Sequence, residues 1–270
     1  MIEAIEARAD NSTDAARAYQ ALHVPALFGQ WAVPMLDAAG VTTGQRVLDV
    51  ACGTGVLARA ASSRVGPDGF VAGMDPDPGM LAVAGELAPQ IQWRLGSAEF
   101  IPFPDAQFDA VLCQFGMMFF TDAHQALLEM LRVVASRGRI AVAVWDSLQN
   151  SAAYPIEVEL IRRHGGERAA NALRAPFALG NTGTLQRIFE EAGVDDIRIE
   201  TRRSTAQFPS IRTMVEADLR GWLPVMGIVL EERQIRRILF EAEEALRNYV
   251  TRTNRVEFNS PAHIVTCRKP

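Results

Sequence analysis

The chain has 270 residues, 49% of them hydrophobic, and a formal charge of −5; it can bury a large core, and it lacks the cation excess of a general nucleic-acid binder. Lys269 is the only lysine, which excludes P-loop, kinase-type and Schiff-base chemistry, and the three cysteines Cys52, Cys113 and Cys267 stand outside disulfide-framework or zinc-ligand spacing. The start Met1-Ile2-Glu3-Ala4-Ile5-Glu6 is acidic where a leader would be basic, and no apolar run approaches the ~20 residues that span a bilayer, so a cytoplasmic protein with a small-molecule partner, no metal, no nucleic acid and no membrane contact is expected.

In chain order, residues 13–40 read as two or three short helices broken at Pro25 and Pro34 and ended by Gly40. Arg46 to Val50 is the first strand, followed by a glycine turn, a helix from Val56 to about Arg64 and a second strand, Phe70 to Met74. A helix from Gly79 to Leu87 leads to strand three, Ile91 to Leu95, then to a proline loop, Ile101-Pro102-Phe103-Pro104-Asp105. Strand four is Phe108 to Gln114. Asp122, with Gln125 as capping-box partner, opens a helix to about Leu131, and strand five is Arg139 to Trp145. Two helical stretches follow, 147–192 and 209–253, separated by the strand-like Ile197 to Thr201, and the last strand is Ala262 to Cys267. Strands alternating with helices give an α/β fold with a parallel sheet. The expected organisation is a single domain: a helical lid at 1–40, a core at 41–146, and helical inserts at 147–192 and 209–253 capping an acceptor pocket.

The turn Gly53-Thr54-Gly55 sits between a strand and a helix, where backbone amides and the helix dipole attract anions, and Asp75 ends strand two 20 residues after Gly55, the spacing at which a carboxylate takes ribose hydroxyls. An adenosine cofactor follows, and NAD and S-adenosylmethionine (SAM) both contain one. Asp49 separates them. A carboxylate four residues before Gly53 repels a pyrophosphate but attracts the ammonium of SAM, whose carboxylate the amides of the turn would take.

These residues resemble class I SAM-dependent methyltransferases, particularly the bacterial group similar to ubiquinone/menaquinone-biosynthesis C-methyltransferases. Val47-Leu48-Asp49-Val50-Ala51-Cys52-Gly53-Thr54-Gly55 is similar to the family's first motif, and Gly73-Met74-Asp75 with Met80-Leu81 to its ribose-binding segment. Gly96-Ser97-Ala98-Glu99, running into Ile101-Pro102-Phe103-Pro104 and Phe108-Asp109, is similar to the adenine-binding block, and Glu129-Met130-Leu131-Arg132-Val133 to the last. The resemblance implies a Rossmann-like seven-stranded sheet of order 3-2-1-4-5-7-6 with strand 7 antiparallel. It also implies a cofactor site made of Asp49, Ala51, Gly53, Thr54, Gly55, Asp75, Pro76, Met80, Ser97, Ala98, Glu99 and Gln114, the last against the methionine end of SAM. Two departures stand out. Ser97 replaces an aspartate that accepts from the adenine amino group, leaving a neutral, weaker acceptor or passing the task to the backbone and Glu99; Ser136-Arg137-Gly138 replaces Pro-Gly-Gly at a turn remote from the cofactor.

Methyl transfer is an in-line displacement in which a protein supplies alignment and dry surroundings, with a base only for some acceptors. His124, in the first turn of the helix after strand four, is the first candidate for that base, or else a solvated helix-face histidine; His23 and His164 rank below it. Phe119 and Phe120 either wall an acceptor pocket or are core. Gln114-Phe115-Gly116 is unlike the Asn/Asp-Pro-Pro-aromatic motif of DNA-base methyltransferases. The reading is methyl transfer from SAM to a small-molecule acceptor. A non-catalytic SAM-binding protein is the alternative kept open by Ser97, and a nicotinamide-dependent oxidoreductase is disfavoured by Asp49 and by the missing Tyr-x-x-x-Lys pair.

Overall fold

The computed structural model describes residues 2–269, with side chains from Ser12 to Lys269. The acidic stretch Met1 to Glu6 therefore lies, as side chains, outside the described residues. The helices are α1 (Ile2–His23), α2 (Ala32–Ala38), α3 (Val56–Val65), α4 (Pro78–Leu87), α5 (Ala123–Val133), α6 (Tyr154–Gly165), α7 (Glu167–Arg174), α8 (Thr182–Glu191), α9 (Ile211–Glu216), α10 (Leu223–Val225) and α11 (Glu232–Ala245). The strands are β1 (Arg46–Val50), β2 (Phe70–Asp75), β3 (Gln92–Leu95), β4 (Phe108–Gln114), β5 (Val134–Trp145), β6 (Arg198–Arg202), β7 (Thr205–Phe208), β8 (Val256–Asn259) and β9 (Ala262–Arg268).

Seven strands form one sheet of order β3-β2-β1-β4-β5-β9-β6. The strands β1 to β5 run parallel, and β9 is antiparallel to both β5 and β6. Counting only strands of this sheet, the order is 3-2-1-4-5-7-6 with the seventh reversed, as the resemblance implies. Central strands are buried on both faces, hence their unbroken apolar runs, while the edge strands β3 and β6 are largely exposed.

Alternation along the strands divides the core in two. Val47, Ala110, Leu112, Ala141 and Ala143 face α2, α3 and the late helices. Leu48, Val111, Cys113, Val142 and Val144 face α5 and α8. Side-chain caps fix where helices begin: Asp77 accepts from Gly79 and Met80 N–H, Asp122 from Gln125, Asn181 from Thr184 and Ser210 from Thr213.

Several local expectations need correction. Near Pro25 the α-helix ends as expected, at His23, but the chain stays helical through a π-helical turn, Val24–Phe28, with the proline at its start, and Pro34 is the third residue of α2 rather than a break. The Asp122 capping box is only half made, because the Asp122 amide donates to Glu99 and Gln125 reaches the Glu99 carbonyl instead. Ser136-Arg137-Gly138 belongs to the start of a longer β5, where Arg137 has φ of +63° and the pairing with β4 shifts register. The stretch 147–192 divides in two, since α8 packs on the outer face of the sheet with α5 rather than over a pocket. The separate two-stranded antiparallel sheet β7–β8 has no counterpart in the sequence reading; its Ala206, Phe208, Val256 and Phe258 alternate inward against the cap. No helix among the described residues is long and apolar enough to cross a membrane.

Candidate functional site

At the carboxyl ends of β1, β2 and β4 lies a cavity of about 660 Å³, within the ~300–1,000 Å³ of clefts that enclose whole small molecules. One end is built by the turns after β1 and β2. Its walls include Asp49, Ala51, Gly53, Asp75, Pro76, Met80, Ser97, Ala98, Glu99 and Gln114, ten of the cofactor-site residues named from the sequence. The fold brings these together from four separate segments.

Asp49 is 1% exposed. Its Oδ2 accepts from Ala58 N–H of α3 at 2.9 Å, while Oδ1 is buried without a partner in the protein. Burial pushes its carboxyl from 3.8 up to about 8, against the Ala58 bond and with help from the neighbouring charge of Asp75, offset in part by Arg59. Asp75 is raised to about 6, also by burial, and is moderated by the amides of Asp77 and Gly53, each bonded to one of its oxygens at 2.9 and 2.8 Å. Each Asp75 oxygen keeps a further lone pair.

The amides of the turn are used differently from expectation. Gly53 N–H is taken by Asp75 and Gly55 N–H by the Cys52 carbonyl, so two of the amides first assigned to a ligand carboxylate hold the turn itself, as does Cys52 N–H on the Met74 carbonyl. Thr54 and Gly55 do not line the cavity. The Thr54 hydroxyl donates to Gln20 of α1 at 2.6 Å, and Gly55, at φ +80°, has the Trp93 ring packed where a side chain would go. Ala51 and Phe115 hold positive φ, 56° and 58°, at the ends of β1 and β4, a strained backbone that sequence patterns do not disclose.

Glu99 is committed elsewhere. Its Oε1 accepts from Thr121 N–H at 2.9 Å and Asp122 N–H at 3.3 Å, and Ser97 bonds to it. Against some desolvation, these bonds hold its carboxyl below the ordinary range. Gln114 donates from Nε2 to the Phe28 carbonyl at 3.2 Å, and its Oε1 is buried without a partner.

His124 is not brought to the cavity. It lies on the outer surface of α5 with its ring against the Glu191 carbonyl at 3.2 Å, so the base expected there is withdrawn. His164 is also remote, bonded to Glu241 between α6 and α11. His23, ranked below His124, does line the cavity, with its ring stacked on Tyr19 at 5.6 Å between centroids. Tyr19 covers Gly53 from above, and its hydroxyl is pushed above the ordinary tyrosine range by burial and by Asp75 and Asp49.

From Gln114 the cavity continues into an aromatic chamber. Phe28, Phe115 and Trp145 form one wall, Phe115 and Trp145 stacked 3.9 Å apart. Tyr154, Phe177 and Trp222 come from the late helical segments, and Phe119, 41% exposed, and Phe120 stand at the rim. The sequence reading missed Tyr19, Tyr154, Trp145 and Asp218; with Glu216 and Arg220 beside it, Asp218 reads in sequence as one charge of an ordinary helix face.

Residues 47–138 match a methyltransferase domain model. The chain is 34% identical over 185 residues to the ubiquinone/menaquinone biosynthesis C-methyltransferase UbiE of Ralstonia nicotianae, covering 62% of this chain and 74% of that one. Against the enzyme of the same name from Pseudomonas savastanoi it is 39% identical over 126 residues, 44% of this chain and 49% of that one. Among solved structures it resembles the YcgJ protein of Bacillus subtilis, with a TM-score of 0.58 at 20% identity, covering 89% of this chain and 98% of that one. It also resembles phosphoethanolamine N-methyltransferase 2 of Haemonchus contortus in complex with phosphomonomethylethanolamine and S-adenosylhomocysteine, with a TM-score of 0.60 at 17% identity, covering 94% and 57%. Sheet order, cavity position and the sequence relatives agree: the chain belongs to the class I SAM-dependent methyltransferases.

Proposed function

We propose that this enzyme methylates an uncharged small molecule held in the aromatic chamber, with SAM in the end of the cavity walled by Asp49 and Asp75. The observation that carries the reading is the buried, unpartnered Asp49 Oδ1, an acceptor without a donor in a cavity that also presents Asp75 and the Ser97-Ala98 backbone. An ammonium fits that vacancy of hydrogen bonding, and a pyrophosphate does not.

In this reading Asp49 holds the ammonium of SAM and Asp75 the ribose hydroxyls through its free lone pairs. Pro76, Met80, Ser97 and Ala98 enclose the adenine, and Gln114 meets the methionine end. Glu99 acts indirectly, by fixing Ser97 and the start of α5. When bound, SAM supplies a methyl carbon activated by a positive sulfur; the chain's own residues align the acceptor and exclude water. Organisation follows as one domain, with residues 1–40 as lid, 41–146 as core, and 147–181 and 209–253 as the cap.

The chamber argues for the acceptor's charge. Among the described side chains its lining holds no arginine or lysine, so a phosphorylated acceptor like the ligand of the Haemonchus enzyme finds no such counter-ion among them. Calorimetry with SAM, followed by transfer of a labelled methyl group to a panel of neutral aromatic compounds, tests the proposal. Micromolar binding and label in a neutral acceptor are expected. No SAM binding, or label only in phosphorylated acceptors, overturns it.

A further inference from the structure

A second cluster of charge lies at the other end of the sheet, by the amino ends of the parallel strands. Two depressions there, of about 200 and 300 Å³, have Arg139 of β5 and Arg268 of β9 as a common wall. Arg198 of β6 lines the smaller one and Arg137 of β5 the larger. Among the described residues, none that lines them also lines the SAM cavity. Four guanidiniums thus meet in one place, in a chain whose net charge is −5.

Arg139 and Arg268 stand directly opposite each other in the antiparallel β5–β9 ladder, so their side chains leave the same face of the sheet. Farther along that face the opposed pairs are apolar, Ala143 with Ile264 and Trp145 with Ala262, and they pack into the core. Like charges directly opposite in a ladder repel and weaken it. Among the described residues, neither guanidinium makes a hydrogen bond or an ion pair. Arg139 is half-buried and lies where a side chain on Gly40 would stand, at the end of α2, whose negative end favours one cation. That dipole accounts for one guanidinium, not for four. The carboxylates in the two linings are Asp109, whose Oδ2 accepts from Arg46 N–H at 2.8 Å, and Asp196, 3.6 Å from Arg198.

Arg137 brings a second unfavourable feature to the same place. Its φ of +63° is a conformation natural to glycine and strained for a long side chain. The resembled family has glycine at this position, within Pro-Gly-Gly. The bulge is held by the backbone alone: Arg137 N–H donates to the Lys269 carbonyl at 3.1 Å and Lys269 N–H to the Gly138 carbonyl at 3.0 Å. Nothing in that geometry calls for an arginine, yet the chain puts a cation there, beside two others.

Both features place guanidiniums around the same two depressions, and a multiply charged anion between them would turn repulsion into attraction. The planar fork of arginine matches phosphoryl oxygens. A single phosphate would fill one depression and leave the cation of the other unmatched. A polynucleotide would need a longer cationic track than one bounded by Asp109 and Asp196. We propose that Arg137, Arg139, Arg198 and Arg268 form a binding site for a diphosphate group, one phosphoryl in each depression. Arg139 and Arg268 bridge the two, with Arg198 at one end and Arg137 at the other. The diphosphate is either free or esterified, as in a nucleoside diphosphate, and the site does not depend on the methyl-transfer reading.

Thermal scans and calorimetry on the full chain at low salt test this, with inorganic diphosphate and ADP as probes and orthophosphate and sulfate as comparisons. One diphosphate per chain should bind and raise the melting temperature, about 10-fold or more tighter than orthophosphate or sulfate, and the affinity should fall steeply as salt is raised. ADP binding as tightly as inorganic diphosphate would identify an esterified ligand, and inorganic diphosphate alone a free one. Arg268→Gln should weaken diphosphate about 10-fold or more, yet raise the melting temperature of the ligand-free protein by about 1–3 °C, because it removes the opposed charge. Arg137→Gly should act in the same two directions, by relieving the strained φ. Arginines that merely hold the sheet would give the opposite sign in the ligand-free protein, and a lower melting temperature in Arg268→Gln overturns the assignment. So does an absence of diphosphate binding, equal affinity in Arg268→Gln, tighter binding of a single-stranded oligonucleotide than of diphosphate, or displacement of diphosphate by S-adenosylhomocysteine, which would put the anion in the other cavity.

Discussion

Asp49 is the residue on which cofactor affinity and stability collide. Without a cation beside Oδ1, burial raises its carboxyl to about 8, so the free protein holds a proton there that an unfolded chain, with the ordinary value of 3.8, has given up. The stability linked to this proton is fully present below about pH 4 and is lost as pH rises from there through about 8, at up to about 1.4 kcal/mol per pH unit. Asp75, raised to about 6, adds the same sign over the lower part of that window. The cofactor-free protein should therefore melt at falling temperature from pH 5 to 8, and Asp49→Asn should flatten the curve in a thermal scan; a curve unchanged by the substitution would remove Asp49 as its source. In the proposed complex the relation reverses, because a SAM ammonium on Oδ1 favours the ionised carboxylate. Asp49→Asn should weaken SAM about 10- to 100-fold by calorimetry, the worth of one charge-assisted bond, whereas His124→Ala, outside the cavity and bonded to the Glu191 carbonyl, should leave binding and kcat near wild type.

Among the elements, the block Glu129 to Val133 acquires a physical meaning that resemblance alone did not supply. Arg132 donates to the carbonyls of Ile101 and Phe103 and to Glu129 and Asp105, while Glu129 accepts from Ile101 N–H, so α5 clamps the proline loop whose Gly96 to Glu99 end walls the cavity. A lysine cannot span these acceptors as one planar fork. Arg132→Lys should cost about 1–3 kcal/mol in denaturant melts and loosen SAM binding through the loop; loss of stability with affinity intact would show that the clamp serves the fold only. The same scale explains what sequence could disclose. Strands β1 and β4 were legible because buried parallel strands are unbroken apolar runs, and the start of α4 was placed within one residue, at Gly79 rather than Pro78. The π-helical turn at Val24 to Phe28 was not, because a proline reads as a break unless the wider ring is known, and β7 and β8, four residues each, are too short for periodicity to reveal. At the site, Asp49 and Asp75 were legible from their spacing to the glycine turn, whereas His23 and Asp218, 195 residues apart, meet only through the tertiary fold.

The whole molecule sets a rigid half against a composite one. The SAM end of the cavity is held by β1, β2 and β4, paired on both sides within the sheet, while the chamber is closed by α1, the two π-helical turns and the segments around Phe177 and Trp222. These covering elements meet the core mainly through side chains rather than a ladder of strand hydrogen bonds, and the π-helical turns are less favourable than regular helix. Opening should therefore occur in the cover and leave the sheet intact, which gives both ligands a way in without unfolding. Tyr19 joins the two halves, since it covers Gly53 and stacks on His23, so a ligand under it should order the cover from α1 outward. Hydrogen exchange with and without S-adenosylhomocysteine should show residues 12–28 and 211–226 slowing several-fold on binding, with β1, β4 and β5 protected in both states. If the strands gained protection while α1 and the 211–226 segment did not, the cover would be as rigid as the sheet, and acceptor entry would need a different route.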